Sequence, residues 1–321
     1  MKILLIVVLL LLGVGGLVIV KFASQKPNVP SSEISNSAST PKPSGNDDAE
    51  LSERLKTLCE TSGGKVSVAV VHVETDKLAV VDASNELSLY SVFKLPLAIA
   101  VLKDIEEGRL KLDQKIHIGA DDVTPGFSGN TQRWQKPVDY TIKQLLELSI
   151  VESDNTSSEK LLQLVGGPAP LTERLRAFDL QQINIKTTIK DYVATRNNPN
   201  TGSALGIVKL LSRLQRGELL QTSHTELLIG FMEHAKIGLH RLRGDLPPGT
   251  RVADKTGSGE LNAKTNAANS TNDVGLITLP NGRGHLAMAV LLHDSPLADE
   301  QQERLIANLA RVAFDSYSSI R

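Results

Sequence analysis

Cysteine is nearly absent from the chain: Cys59 stands alone among 321 residues. A single thiol excludes an intramolecular disulfide framework and a cysteine-based zinc site. Aromatic residues are scarce as well, with six Phe, four Tyr and one Trp. Stacking platforms for single-stranded nucleic acid are therefore not expected. Neither sign of charge is in excess, with 35 basic against 36 acidic side chains and a net charge of -1. Nucleic-acid binders usually carry a basic surplus or stripe, which argues against that class. The seven histidines lack a convincing metal-ligand pattern, and His234 and His240, near Glu233, read as surface or packing residues. No metal and no cofactor is expected. No internal repeat is visible, and no glycine pair has the strand–loop–helix setting that a phosphate cradle needs. The length allows a sizeable core, in one large domain or two small ones.

One long apolar run is present. Ile3 to Val20 contains only Ile, Leu, Val and Gly, between Lys2 and Lys21. As a helix it would span roughly 27 Å, close to a bilayer core. A cleaved signal peptide and an uncleaved anchor both fit. Phe22-Ala23-Ser24 is a poor cleavage site, because Phe replaces a small residue, so the anchor is the better reading. Gln25 to Ala49 follows, with Pro27, Pro30, Pro41 and Pro43, six serines and no aromatic residue. Such a segment cannot bury enough apolar surface to offset the entropy of ordering, and reads as a tether. The expected organisation is an anchor or signal over 1–24, a tether over 25–49 and a folded domain over 50–321. That places the folded part outside the cytoplasm, membrane-anchored or secreted, and it is expected to be a monomer.

Within the folded part, Leu51, Leu55 and Leu58 recur at helical spacing before Gly63-Gly64. Lys65–Val73 and Lys77–Ala83 are β-branched runs that suggest a hairpin. An apolar helix is predicted from Ser91 to Gly108, and residues 119–140 read as loop. Helical patterns follow at 141–150, 155–165, 170–178, 203–216 and 222–235. Strands are predicted at Arg251–Lys255, Asn272–Leu279 and His285–His293, and a final amphipathic helix at Asp299–Ser318. Strands at both ends of the domain imply an α/β (α+β) fold: a mainly antiparallel sheet flanked by helices, with an all-helical lobe beside it.

A serine with a lysine three residues on can place hydroxyl and amine on one helix face. A buried, uncharged amine there could take the serine proton. The pattern recurs at Ser39/Lys42, Ser62/Lys65, Ser91/Lys94 and Ser157/Lys160. The first is in the tether, the second is interrupted by glycines, and the fourth reads as a solvated helix face. Ser91/Lys94 alone opens an apolar helix. Ser153-Asp154-Asn155 sits between two helical patterns and Lys255-Thr256-Gly257 ends a strand, each once in the chain. By themselves these could be a helix N-cap and a strand end. In the order SxxK, SDN, KTG they form a serine penicillin-recognising signature.

On these motifs the chain from about Glu50 to Arg321 resembles the class A β-lactamases and related penicillin-binding proteins. Asn155-Thr156 with Gly166-Gly167-Pro168 is similar to the class A core. Thr271-Asn272-Asp273-Val274-Gly275, with Leu279-Pro280-Asn281-Gly282, most resembles the Bacteroidetes-type and extended-spectrum subgroup. The resemblance implies Ser91 as nucleophile, Lys94 as its general base and Ser153 as proton relay to the leaving nitrogen. It implies Asn155 as holder of the substrate's side-chain amide, and Lys255 and Thr256, in the Lys255-Thr256-Gly257 element, as binders of its carboxylate. The backbone N–H groups of Ser91 and Ser258 would form the oxyanion hole.

The resemblance fails at one place. Class A enzymes use a second carboxylate to activate the water that releases the acyl-enzyme. Aligning Ile183–Tyr192 puts that position near Ile189, and no Glu occurs between Glu173 and Glu218. The loop that follows, near Thr201, also looks several residues short. Asp191 is the nearby carboxylate, shorter and about two positions late, and reads more readily as a solvated loop residue. Glu152 precedes the SDN element, where the family assigns no role. The expectation is fast acylation and slow release. Three functions compete: a β-lactamase with a variant deacylation route, a β-lactam-inhibited D-Ala-D-Ala carboxypeptidase or transpeptidase, and a non-catalytic β-lactam sensor. The sensor is the weakest, since only Met1 and Lys2 precede the apolar run and the motif residues are intact.

Overall fold

Asp48 starts the fold. Its carboxylate accepts from the Leu51 backbone at 3.1 Å and caps α1 (Ala49–Glu60), which buries Leu51, Leu55 and Cys59 one turn apart. Sequence placed Asp48 in the tether, yet Tyr317 at the far end of the chain also donates to it at 3.0 Å. The structure, a computed structural model, describes residues 47–127, 130–260 and 268–318. The apolar run Ile3–Val20 and most of the tether lie outside the described residues.

From α1 the chain enters the hairpin β1 (Lys65–His72) and β2 (Lys77–Val81), then β3 (Leu87–Ser88). A 3-10 turn, Tyr90–Phe93, feeds α2 (Lys94–Glu106), which is apolar on nearly every side and buried accordingly. β4 (Lys115–Ile118) leads into the segment read as loop, which holds two short 3-10 turns and the start of β5 (Val138–Thr141), the partner of β4. The helical lobe continues with α3 (Ile142–Val151), α4 (Asn155–Leu164) and α5 (Pro168–Ala177). β6 (Ile183–Asn184), α6 (Ile189–Thr195) and β7 (Thr201–Gly202) follow, then α7 (Ala204–Gln215) and α8 (Thr222–Glu233). β8 (Val252–Ser258), β9 (Ser270–Thr278), β10 (His285–His293) and α9 (Asp299–Ser318) complete the chain.

The main sheet has the order β2-β1-β10-β9-β8 and is antiparallel throughout. Lys65 pairs with His293 and His72 with Leu286, so the first strand lies against the last. Alternation along these strands divides two cores. Val68, Val70, Leu286, Met288, Val290 and Leu292 face α1 and α9. Ala69, Ala287, Ala289 and Leu291 face the helical lobe, where small side chains let the helices approach. The α/β architecture expected from the strand and helix order is the one observed. β8, at the sheet edge, runs past the 3-10 turn that carries Ser91.

Candidate active site

Ser91 occupies the 3-10 turn rather than the α-helix proper, which begins at Lys94. In a 3-10 turn residues three apart eclipse one another, so the serine–lysine spacing still serves. Tyr90, just before it, has φ +47, a region costly for a residue with a Cβ. Three contacts hold that conformation. Leu89 N–H donates to Asn200 O at 2.8 Å, and Asn272 Nδ2 donates to Ser88 O at 2.9 Å. β8 presses on the turn at Gly257, where a Cβ would stand 2.4 Å from Leu89 O.

Lys94 is wholly buried. Its Nζ reaches Ser153 O at 2.6 Å, Asn155 Oδ1 at 2.8 Å and Ser153 Oγ at 3.3 Å. Burial, and then the charge of Lys255, hold its pKa well below the ordinary lysine range, against the opposing pull of Asp154. Lys255, also buried, donates to Ser153 Oγ at 3.0 Å and Thr256 O at 2.8 Å. Burial brings its pKa down to about 8, while Asp254 and Asp273 pull it upward. A hydroxyl oxygen accepts two hydrogen bonds and donates one. Two lysines fill the accepting positions of Ser153, which leaves its proton for a third partner.

The SDN element divides its labour. Ser153 has φ +55, and Asp154 turns away to cap α4. The Asp154 carboxylate accepts from Ser157 N at 2.7 Å, Ser157 Oγ at 2.8 Å and Trp134 Nε1 at 3.0 Å. Asn155 donates from Nδ2 to Pro125 O at 3.2 Å, across from its contact with Lys94. The stretch that follows corrects a sequence expectation: Thr156, Ser157, Ser158 and Glu159 are buried, not a solvated face. Their polar atoms are satisfied internally. Thr156 Oγ1 accepts from Thr124 N, and Ser158 Oγ donates to Asp154 O.

A cavity of about 260 Å³ opens over Ser91, Lys94 and Asn155, with Ser258 and Gly259 on one wall. Thr256 and Gly257 lie behind that wall on β8. Where the second carboxylate was sought, the lining has none: Thr188, Ile189, Tyr192 and Val193, at the start of α6 and along it, face the cavity. Asp191 is exposed and is not among the lining residues. Thr188 Oγ1 donates to it at 2.8 Å, in the first turn of α6. Glu152 pairs with Arg133 at 2.8 Å and Lys236 at 3.0 Å. Burial alone would raise its pKa, but these two cations hold it below its usual value.

Two residues escaped the sequence reading. Glu159 Oε2 accepts from Ile189 N at 2.7 Å and pins the start of α6, and burial raises its pKa. Arg241 donates to Ser258 Oγ at 2.8 Å and Asn272 O at 3.0 Å from behind β8, with Glu303 as its ion partner. Nothing in the spacing of Arg241 marks it. Only the i, i+4 relation of Glu159 to Asn155 would have pointed to a shared face.

A hydroxyl near a buried amine of lowered pKa, with a second hydroxyl ready to pass a proton, is built for acyl transfer through a covalent serine ester. The fold and this arrangement define an active-site-serine hydrolase. Residues 50–317 match the beta-lactamase enzyme family, and the chain belongs to it. VEB-1, a β-lactamase of Pseudomonas aeruginosa, is 29% identical over 272 residues, 83% of this chain and 90% of its own. The extended-spectrum β-lactamase PER-1 of the same organism is 30% identical over 268 residues, 82% and 86% of the two chains. A solved β-lactamase from Chitinophaga pinensis superposes with a TM-score of 0.80 at 30% identity, over 83% of this chain and 99% of that one. The class A resemblance read from the motifs is thereby borne out.

Proposed function

We propose that Ser91 is acylated both by β-lactams and by peptides ending in D-Ala-D-Ala, and that β-lactams leave it only slowly. Ser91 Oγ attacks the carbonyl carbon while its proton passes to the uncharged Lys94 amine. As the tetrahedral carbon collapses, the C–N bond breaks and the nitrogen takes the Ser153 proton. Lys94 returns a proton to Ser153 across the 3.3 Å contact, and the protons balance. Lys255 and Thr256 hold the substrate carboxylate, Asn155 its side-chain amide, and the backbone N–H groups of Ser91 and Ser258 the oxyanion.

The apolar wall formed by Ile189 and Val193 carries the slow-release half of this reading. Hydrolysis needs a water oriented by a base; Ile189 and Val193 offer it no hydrogen bond, and the hydroxyls of Thr188 and Tyr192 beside them supply no carboxylate. Asp191 points its carboxylate at Thr188 and supports no direct role. A DD-peptidase trapped by β-lactams fits this wall. A weak, variant β-lactamase is the second reading, favoured by relatives that are themselves β-lactamases. The apolar run Ile3–Val20 would hold the domain, from about residue 50, at a membrane with its cavity outside the cytoplasm.

The test is an intact-mass time course of the full chain with benzylpenicillin. A stoichiometric adduct that persists, and is absent in Ser91→Ala, is the expected result, and Ile189→Glu should shorten its lifetime. Rapid turnover without accumulated adduct would overturn the peptidase reading and leave the lactamase.

A further inference from the structure

We propose that the ion pair between Arg196 and Glu260 recognises a zwitterionic amino-acid end on the acyl side of the substrate. This rests on acylation at Ser91, as proposed above, and adds the class of acyl group preferred. Among the described residues, the charged side chains lining the cavity are Lys94, Arg196 and Glu260. Lys94 is buried at the floor, whereas Arg196 and Glu260 have side chains 49% and 46% exposed and stand at the mouth. Arg196 ends α6 and Glu260 follows β8, so their 2.6 Å contact joins the two walls.

Arg196 is held from behind. Its backbone adopts φ +56, its N–H donates to Tyr192 O at 2.8 Å, and its guanidinium lies 5.9 Å from the centre of the Tyr192 ring. The cation thus keeps its place when its partner changes. A half-exposed pair is screened and contributes little to stability, so it opens readily. Its effect on a ligand is nonetheless large in kind. An end bearing a carboxylate and an ammonium on one carbon gives Arg196 a new anion and Glu260 a new cation. An end with one charge satisfies one partner and strands the other. A neutral end leaves the pair closed across its path. Preference therefore arises as much from disfavouring the wrong acyl groups as from binding the right one.

The inner walls agree with this reading. Between the serine and the mouth lie Ile189, Tyr192 and Val193 on one side and Ser258 and Gly259 on the other. A short methylene chain fits against the first set, and its amide lies within reach of Asn155. The acyl group inferred is an aliphatic arm that ends in an α-amino acid.

Matched penicillins test this: hexanoyl, adipyl, aminohexanoyl and α-aminoadipyl side chains are neutral, anionic, cationic and zwitterionic at similar length. Second-order rates of adduct formation on the full chain are read by mass spectrometry. The α-aminoadipyl compound should acylate at least about threefold faster than either singly charged analogue. Arg196→Gln should tilt the ratio of the charged analogues toward the cation and Glu260→Gln toward the anion. The exchanged pair, Arg196→Glu with Glu260→Arg, should restore the zwitterion's lead. Equal rates for all four, or ratios that the variants do not move, overturn the inference and leave acylation at Ser91 standing. No adduct from any of them, with none of the four penicillins consumed, overturns the acylation reading and this inference with it.

Discussion

Ser153 receives two lysine nitrogens on one hydroxyl oxygen, at 3.3 Å from Lys94 and 3.0 Å from Lys255. Lys94 and Lys255 each lose charge more readily because both are buried. They differ in what surrounds them: Asp254 and Asp273 support the charge on Lys255, so its pKa falls only to about 8. In the mechanism proposed above, Lys94 is the base and Lys255 the cation for the substrate carboxylate. The sign of the pH dependence follows. As pH rises through about 8, Lys255 loses its proton and its hold on the carboxylate, so acylation by benzylpenicillin should decline. Lys255→Arg keeps the charge at every accessible pH. Its rate should be lower but should not fall between pH 7 and pH 9.5. An alkaline limb unchanged in the variant would assign that limb to another group. The motif residues were legible because covalent chemistry fixes their types and order. Glu159 and Arg241 were not, because each acts on a neighbour distant in sequence, Ile189 and Ser258.

At the scale of elements, the serine turn is shaped by what presses on it. β8 runs close beneath Tyr90–Phe93, and Gly257 is the point of contact. Its backbone is ordinary strand, so the need for glycine is one of space. In Gly257→Ala the added methyl would meet Leu89 O at 2.4 Å and Val92 N at 3.1 Å, and both are backbone atoms. Relief requires the turn or the strand to move, a cost of about 1–3 kcal/mol. The expected outcome is a lower midpoint in thermal or urea unfolding, with acylation reduced far beyond the loss of folded protein. Activity that fell only in proportion to unfolding would make Gly257 a matter of packing alone. Elements with a clear period were legible: the hairpin of β1 and β2, the apolar α2 and the amphipathic α9. The exceptions have two causes. β3, β4, β5, β6, β7 and the short helix α6 are too short for a period to register. The polar start of α4 read as solvated because buried serines and threonines are satisfied by partners that a linear pattern does not reveal.

Across the whole molecule, the catalytic arrangement sets opposing demands on stability. Behind β8 and β9, Asp254 and Asp273 are fully buried, and Asp254 Oδ2 and Asp273 Oδ1 have no hydrogen-bond partner among the described residues. Burial raises both pKa values, Asp254 to about 6 and Asp273 well above its usual range, the latter also through the Asp254 charge. Their contribution to stability is present below about pH 4 and is lost as pH rises through their folded values. The depressed lysines act in the opposite sense, losing stability as pH falls through about 8 for Lys255. Comparing Asp273→Asn with the native chain cancels Lys94, and Lys255, whose charge Asp273 supports, moves the difference in the same direction. The variant keeps an oxygen for Leu242 N, whose contact is 3.0 Å, so its relative melting temperature should rise between pH 5 and pH 8. A difference that did not change with pH would mean that Asp273 is ionised throughout. The sheet itself has a temporal consequence. β1 has β2 on one side and β10 on the other, and Asp48 at the start of the fold is joined to Tyr317 near its end. The first strand leaves the ribosome long before its inner neighbour exists. The sheet therefore closes only after β10 has been made, a high-contact-order step that leaves an apolar edge of β1 waiting until that strand arrives.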